Sequence, residues 1–519
     1  NMGQGGLLTE RDREWFQKEK QALSPGAKEK TYIQKFYLYM NLTKPEEFLH
    51  ISYSKVSSDG KTLRPAYLVW DLKKLFPKLV VTEEEALLMT QRELTPGEGL
   101  EFVIRGVRDR YLGVDESWKE LYTWYRQNEG QKVDRILDAG FFKKKPDALT
   151  GEEAAELYGE KKQFSVTRME RFSACAYAHF LTYGLHLSDR ERYEFEAMDL
   201  GNIAHQSMER FARKAQEKRM PWPKLEEVQR DAMIEESVEE SIKDYGNTVL
   251  YSTARNEYMI VRIKQLIRRS VWALTRQMEK GDFEPSGYEM NFGSGKIDRI
   301  DTCEDEDMVY VKVTDYKTGM KSFDIVALYH GLQMQLPVYL NAALELEERR
   351  APGKTVEPAG IFYYRIKDPI VDREKDDHAL EEKILKELRL DGMINAKEEV
   401  IEHLEHQLSG TSVLNPIGKN KDGSLNRYSK VLPPEAFAAM LSYTKKKEAQ
   451  VKRQIYAGEV QANPYELNGS TGCDYCAYRD ICGFDPRLDG YAYRSLEKYS
   501  KEEVIRRMEE EIENREEPS

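Results

Sequence analysis

The sequence predicts an α/β fold in which strands gather in the middle of the chain between long helical stretches. Strand-like apolar runs at GKIDRID (295–301), VKVTDYKTG (311–319) and PAGIFYYRI (358–366) are separated by helix-period segments, the mixture that builds a sheet flanked by helices. At 519 residues the chain is too long for one core, so two or three domains are expected. Three cysteines crowd into Cys473-x-x-Cys476-x5-Cys482, and a fourth, Cys175, stands nearly three hundred residues upstream. If their thiolates share one metal centre, they clip the end of a domain onto its beginning.

Hydrophobic residues at 40% and charged residues at 33% describe a soluble, cytoplasmic globular protein. No apolar run reaches the length of a membrane span, and the opening NMGQGGLLTERDRE has no signal-peptide core. Its abrupt start fits a segment of a longer protein. Five cysteines are few and odd in number, so metal ligation is a better reading than a disulfide scaffold. Cys303, in DTCEDED, is the one left over and needs no special role.

Residues 1–130 alternate short strand-like and helical runs, with LHISYS (49–54) read as a strand and RPAYLVWDLKKLF (64–76) as a helix start. Residues 131–165 turn polar and glycine-bearing, which reads as a linker. Thr167-Arg-Met-Glu170 has the spacing of a capping box opening the helix that carries Cys175. Helical patterns then run to about 280, followed by a β-rich stretch from Tyr288 to Tyr316 and a helix over about 324–349. PAGIFYYRI is a buried strand, residues 410–430 a loop, Pro434 to about Ala457 a helix, and 496–519 an acidic helical tail.

Side chains alternate along a strand, so Asp315 and Lys317 share one face above Val311 and Val313, while Asp298 comes from the neighbouring strand. Two carboxylates with a lysine beside them suit Mg²⁺ with positions left for water and phosphate. The backbone carbonyl of Tyr316, between Asp315 and Lys317, is a further oxygen donor. Upstream, Gly201 and His205 fall on one helix face. A lone helical histidine is more often structural than a ligand. Gln335 and Tyr339, one turn apart, suit contact with a DNA phosphate or orientation of Lys317, and equally suit an ordinary amphipathic face.

The ordered elements GNIAH, GKIDRID, VTDYKTG and QLPVY resemble the nuclease domain of the RecB family, of PD-(D/E)XK restriction-endonuclease-like fold. That resemblance implies a catalytic set of His205, Asp298, Asp315 and Lys317. VTRMERFSACAYAHFLTYGL, PAGIFYYRIKDP and TGCDYCAYRDICGFD narrow it to the C-terminal part of the AddB family, the second subunits of bacterial AddAB helicase–nucleases. It implies a nuclease domain over 166–495, a [4Fe–4S] cluster on Cys175, Cys473, Cys476 and Cys482, and an AddA-type partner. It further implies DNA processing at double-strand breaks, acting on the 5′-terminated strand. Spacing alone leaves zinc open as the metal of the four cysteines. Two departures stand out. Glu289-Met-Asn-Phe-Gly293 runs into Gly295 where a longer hairpin is expected, and Ala176 follows Cys175 where relatives tend to have proline.

Tyr37 to Tyr53 (YLYMNLTKPEEFLHISY) is similar to the last motif of superfamily 1 helicases, with Lys44 where active members have arginine. With no G-x4-G-K-[S/T] loop in the chain, residues 1–130 are expected to be a partial, inactive helicase-like α/β domain. A net charge of −12 argues against a nucleic-acid binder, although Arg262–Lys280 gathers enough basic residues for a local positive groove. Two rival readings are a RecB-like nuclease of CRISPR-adaptation type and a non-catalytic DNA-binding scaffold. The first is disfavoured by the helicase-like leader, the second by intact Asp298, Asp315 and Lys317.

Overall fold

The computed structural model describes residues 10–513 except 20, 22, 58–60, 84–94, 110–116, 143–147, 160–163, 189, 191–194, 246–247, 252, 294 and 375. The chain divides into two units, residues 1–136 and 137–519. The segment Asn1–Thr9 and the end of the acidic tail, 514–519, lie outside the described residues.

The first unit is helical: α1 (Glu10–Lys18), α2 (Ala27–Thr43), α3 (Tyr67–Leu75), α4 (Pro96–Asp109), α5 (Trp118–Asn128) and the start of α6 (Gly130–Gly140). Its tightest packing is between α4 and α5, where a Cβ on Gly106 would sit 2.1 Å from the Trp118 ring. RPAYLVWDLKKLF forms α3 as expected. LHISYS does not form a strand. It is irregular and exposed, and the described residues of this unit contain no strand, only an isolated bridge between Val56 and Thr62. A strand is stable only when its N–H and C=O groups are paired. The expected α/β character of the front segment is therefore corrected to α among the described residues.

The second unit opens with α7 (Gly151–Tyr158), α8 (Val166–Ala174), α9 (Ala176–His179), α10 (Ala197–Glu217), α11 (Glu227–Asp244) and α12 (Ala254–Met278). Then come β1 (Glu284–Phe292), β2 (Gly295–Glu304), β3 (Met308–Lys317), α13 (Ile325–Tyr329), α14 (Gln335–Arg350) and β4 (Thr355–Arg365). The remaining elements are α15 (Asp377–Glu387), β5 (Asp391–Asn395), α16 (Glu398–Leu404), β6 (Val431–Leu432), α17 (Pro434–Tyr456), β7 (Tyr465–Leu467), β8 (Ser470–Thr471), α18 (Arg479–Cys482), β9 (Arg494–Ser495) and α19 (Lys501–Glu513).

The main sheet has the order β1-β2-β3-β4-β5-β6. The β1–β2 and β2–β3 pairs are antiparallel, and β3 pairs parallel with β4 through a crossover that contains α14. β3 is buried along nearly its whole length, which requires cover on both faces. Tyr310 and Tyr316 pack into a core with Phe211, Ile234 and Ile267 of α10, α11 and α12. Val311 and Val313 pack into the other core with Leu336 and Leu340 of α14 and Phe437 of α17. The result is a mixed sheet between two helical layers.

Three boundaries differ from the sequence reading. Residues 151–158 of the expected linker form α7, and Ala154 and Tyr158 are buried in the second core, because Thr150 and Glu153 make a complete capping box ahead of apolar residues. The tail is helical over α19 but docked, with Val504 and Met508 buried against the same core. The helix expected over 324–349 is interrupted at Gly331, whose φ of +79° ends α13 before α14 begins. The short hairpin at Gly293 is a tight turn, with Phe292 directly opposite Gly295.

Thr167 does not open α8. The cap is Ser165, whose side chain accepts from Arg168 N, and Glu170 reaches another helix: its Oε1 accepts from Met334 N at 2.7 Å and Gln335 N at 3.0 Å. A half-buried carboxylate thus satisfies the orphan amides at the start of α14. Glu170→Ala is expected to destabilise the protein by about 1–3 kcal/mol, since it strands buried donors, as read by urea unfolding.

Candidate active site

β2 and β3 place the two aspartates. Their pairing sets Arg299 opposite Thr314 and Ile300 opposite Val313, and the same register one step further sets Asp298 opposite Asp315. Opposite residues of an antiparallel pair share a face, with Cβ atoms about 4.5–5.5 Å apart. Both are buried, Asp298 at 8% exposure and Asp315 at 1%. Beyond Thr314 the ladder is replaced by a side chain: Tyr316 N donates to Asp298 Oδ2 at 2.7 Å. The N–H and C=O of one strand residue point the same way, so the Tyr316 carbonyl is directed toward β2 and Asp298.

His205, on α10, brings Nδ1 to 3.2 Å from Asp298 Oδ2. One turn earlier Gly201 faces Thr318, whose Oγ1 lies 3.4 Å from where a Cβ would be, so a small residue lets α10 approach the end of β3. Lys317 Nζ is 2.5 Å from Asp315 Oδ2, a close ion pair. Gln335, at the first position of α14, donates through Nε2 to Asp315 Oδ1 at 2.7 Å and to the Tyr339 hydroxyl at 3.0 Å. The sequence-predicted residues His205, Asp298, Asp315, Lys317, Gln335 and Tyr339 therefore form one connected network.

One residue of the site was not anticipated. Glu289 on β1 offers a carboxylate oxygen that lies, with ligand atoms of His205 and Asp298, in a group all within 4.8 Å of one another. It is held by Lys296 at 2.6 Å, and its φ is +48°, a backbone state rare outside glycine.

Burial, then the neighbouring Asp298 charge, pushes the Asp315 carboxyl well above its usual range, against the pull of Lys317. Burial and Asp298 raise Glu289 likewise. Burial alone would lower His205, but its hydrogen bond to Asp298 and the surrounding carboxylates outweigh this and raise it. Crowded, buried carboxylates of one sign are what a divalent cation relieves. Asp315 Oδ2, partnered only by Lys317, is an oxygen such a hard cation takes. The residues fit Mg²⁺.

A pH dependence follows. A raised carboxyl binds a proton in the folded protein that the unfolded chain has already lost, so its contribution to metal-free stability is present at low pH and fades as pH rises through the folded value. Cation binding must expel that proton and the one on His205. Mg²⁺ affinity is expected to be at least about tenfold weaker at about pH 6 than at about pH 8, with proton release on binding, by titration calorimetry.

The four cysteines converge at the far ends of the second unit. Cys175 lies between α8 and α9, Cys473 and Cys476 follow β8, and Cys482 ends α18; all four are free of disulfides and line one small cavity with Ala178, Leu181 and Tyr478. Their segments are tied together by Tyr177 N to Gln461 O at 3.0 Å, Ala176 N to Asn463 Oδ1 at 3.0 Å and Tyr478 OH to Leu187 O at 2.7 Å. Burial pushes the Cys175 thiol up, while backbone amides of Ala178, Asn463 and Tyr177 facing it favour the thiolate. Sulfur donors supplied with amide hydrogen bonds suit a soft metal centre.

The basic stretch of α12 does not line a groove. Lys264 pairs with Glu239, Arg268 with Glu235 and Asp231, and Arg276 with Glu279 and Glu381. α11 supplies most of the neutralising acids, so the expected positive groove is corrected to an ion-paired helix face.

Comparison with known proteins places these features. A family model for the PD-(D/E)XK nuclease superfamily matches residues 163–483. The B-type subunit of an ATP-dependent helicase/deoxyribonuclease from Lachnoclostridium phytofermentans is 37% identical over 520 residues, covering 96% of this chain and 45% of that protein. Proteins of the same name from Alkaliphilus oremlandii and Caldanaerobacter subterraneus are each 31% identical, over 98% and 96% of this chain and 47% and 46% of their own lengths. The chain spans less than half the length of the curated relatives it matches. No described helix is long and apolar enough to cross a membrane.

Proposed function

The chain belongs to the PD-(D/E)XK nuclease superfamily, and from that premise we propose that it is the nuclease-bearing part of a helicase–deoxyribonuclease subunit. In this reading it hydrolyses DNA phosphodiesters with Mg²⁺ as an exonuclease, on single strands or at duplex ends, during double-strand-break repair. An AddA-type partner supplies ATP-driven unwinding, and the 5′-terminated strand is the one degraded. The first unit, with Lys44 in its helicase-like motif, contributes no ATP hydrolysis. The observation that carries the reading is the meeting of Asp298, Asp315, Lys317 and His205 at the end of the β2–β3 pair.

His205, Asp298, Asp315 and the Tyr316 carbonyl would hold the cation, joined by Glu289. The bound ion makes water a stronger nucleophile at neutral pH and offsets charge growing on the phosphate. Lys317, anchored by Asp315, orients the attacking water and donates to the phosphate oxygens. Gln335 fixes Asp315 through one amide hydrogen and Tyr339 through the other, so the carboxylate is aimed before substrate arrives. Cys175, Cys473, Cys476 and Cys482 hold a [4Fe–4S] cluster rather than zinc, the choice the resemblance to AddB favours, and a broad visible absorption in anaerobically purified protein tests it.

The function is tested by incubating the protein with single-stranded DNA labelled at the 5′ or the 3′ end, with Mg²⁺ or with EDTA. Mg²⁺-dependent shortening from the 5′ end is expected. Binding without cleavage, unchanged by Mg²⁺, would leave the non-catalytic scaffold as the better reading.

A further inference from the structure

We propose a second metal site, specific for a transition ion such as Zn²⁺, built by Cys303, Asp282 and His403 at the opposite end of β2 from the nuclease centre. Cys303 lies five residues along the strand from Asp298, about 17 Å at strand rise, so the two sites are separate. One ligand atom from each of the three residues lies within 4.8 Å of the others. The described residues form only one other such group, the nuclease site itself.

The scaffold of this cluster is set by backbone contacts. Asp282 N donates to His403 O at 2.8 Å and His406 N to Lys280 O at 2.7 Å, locking the α12–β1 turn to the end of α16. Gly281 sits so close that a Cβ would fall 2.4 Å from the His403 carbonyl oxygen. Within that frame His403 Nδ1 lies 2.8 Å from Asp282 Oδ2, and its Nε2 lies 3.2 Å from Asp305 Oδ2. A carboxylate on the far nitrogen of a ligating imidazole is the usual means of fixing its tautomer and orientation. His406 Nε2 lies 2.8 Å from the same Asp282 oxygen but outside the three-residue group, which leaves a fourth position to water.

Cys303 supplies an independent pointer. The residue is 5% exposed, a buried sulfur donor beside an imidazole and a carboxylate. A thiolate with an imidazole selects Zn²⁺ and its neighbours over Mg²⁺ or Ca²⁺. Ligand atoms around zinc at about 2.0–2.3 Å stand roughly 3.3–3.8 Å apart, so small side-chain shifts suffice. The site would tie the base of the β1–β2 hairpin to α16.

The test measures Zn²⁺ binding to the whole chain and its Cys303→Ser, His403→Gln and Asp305→Asn variants, by metal content after dialysis and by competition with a chromophoric chelator. Zinc held by the four-cysteine centre or the nuclease site is common to all and cancels in the comparison. Cys303→Ser and His403→Gln are expected each to lose one zinc per chain, with Mg²⁺-dependent DNA cleavage unchanged. Asp305→Asn, an exposed position that leaves the core untouched, is expected to weaken that zinc by about 10–100-fold, and it carries the test if the other two fail to fold. Equal zinc content and affinity in wild type and Asp305→Asn, or in wild type and a folded Cys303→Ser, would overturn the proposal.

Discussion

Asp315→Ala is expected to lower Mg²⁺-dependent DNA cleavage by on the order of 10³-fold or more, while DNA affinity changes less than about threefold. The expected loss is that of a cation's several kcal/mol of charge stabilisation, at about 1.4 kcal/mol per tenfold in rate. Asp315 is the junction of the site. It faces Asp298 across β2 and β3, anchors Lys317 and accepts from Gln335. In the proposed reading its removal would deprive the cation of one carboxylate and the lysine of its anchor together.

The same substitution makes a second prediction of opposite sign. In the metal-free protein Asp315 is buried and crowded by Asp298, which is why its carboxyl is raised. Removing it should leave metal-free stability unchanged or increased at neutral pH, a trade typical of functional carboxylates. Thermal unfolding in EDTA and single-turnover cleavage in Mg²⁺ separate the two effects. A variant that is inactive because it is unfolded would contradict this account.

How much of this was legible in the chain depends on whether a residue's role is local. Asp315 and Lys317 could be placed because strand alternation fixes their common face, and Asp298 because its strand is adjacent. Glu289 was not legible. The register of β1 shifts between Pro285 and Gly287, so its parity is hidden, and its positive φ leaves no mark in the sequence. Glu170 was misread because Thr-x-x-Glu satisfies a local rule, whereas its carboxylate is spent on α14, more than 160 residues away. LHISYS has strand composition, yet composition supplies no neighbouring edge to pair with. The basic face of α12 read as a groove because its acidic partners sit on a different helix.

Cys476→Ala is the second large effect expected, and it acts far from the chemistry. A centre joining Cys175 to Cys473, Cys476 and Cys482 closes a loop of nearly three hundred residues. By the cross-link model that removes about 5–6 kcal/mol of denatured-state entropy. Beyond the Tyr478 hydroxyl bond to Leu187 and the short β7–β8 pair, little else holds the segment: Tyr475 is fully exposed and Ile481 largely so, and the small core here is Cys175, Ala178, Leu181 and Tyr478. Loss of one thiolate should therefore discharge the metal, open residues 468–490 to protease and lower the melting temperature of the second unit by about 5 °C or more. The effect should also reach the nuclease site, because α8 ends at Cys175 and carries Glu170, whose carboxylate holds the start of α14 and so Gln335. Cleavage by the variant is expected to fall before the protein unfolds, as the temperature is raised. If Glu170→Ala and Cys476→Ala act through this one helix, their effects on stability should be less than additive. Additive effects would separate the cysteine centre from the catalytic end of α14.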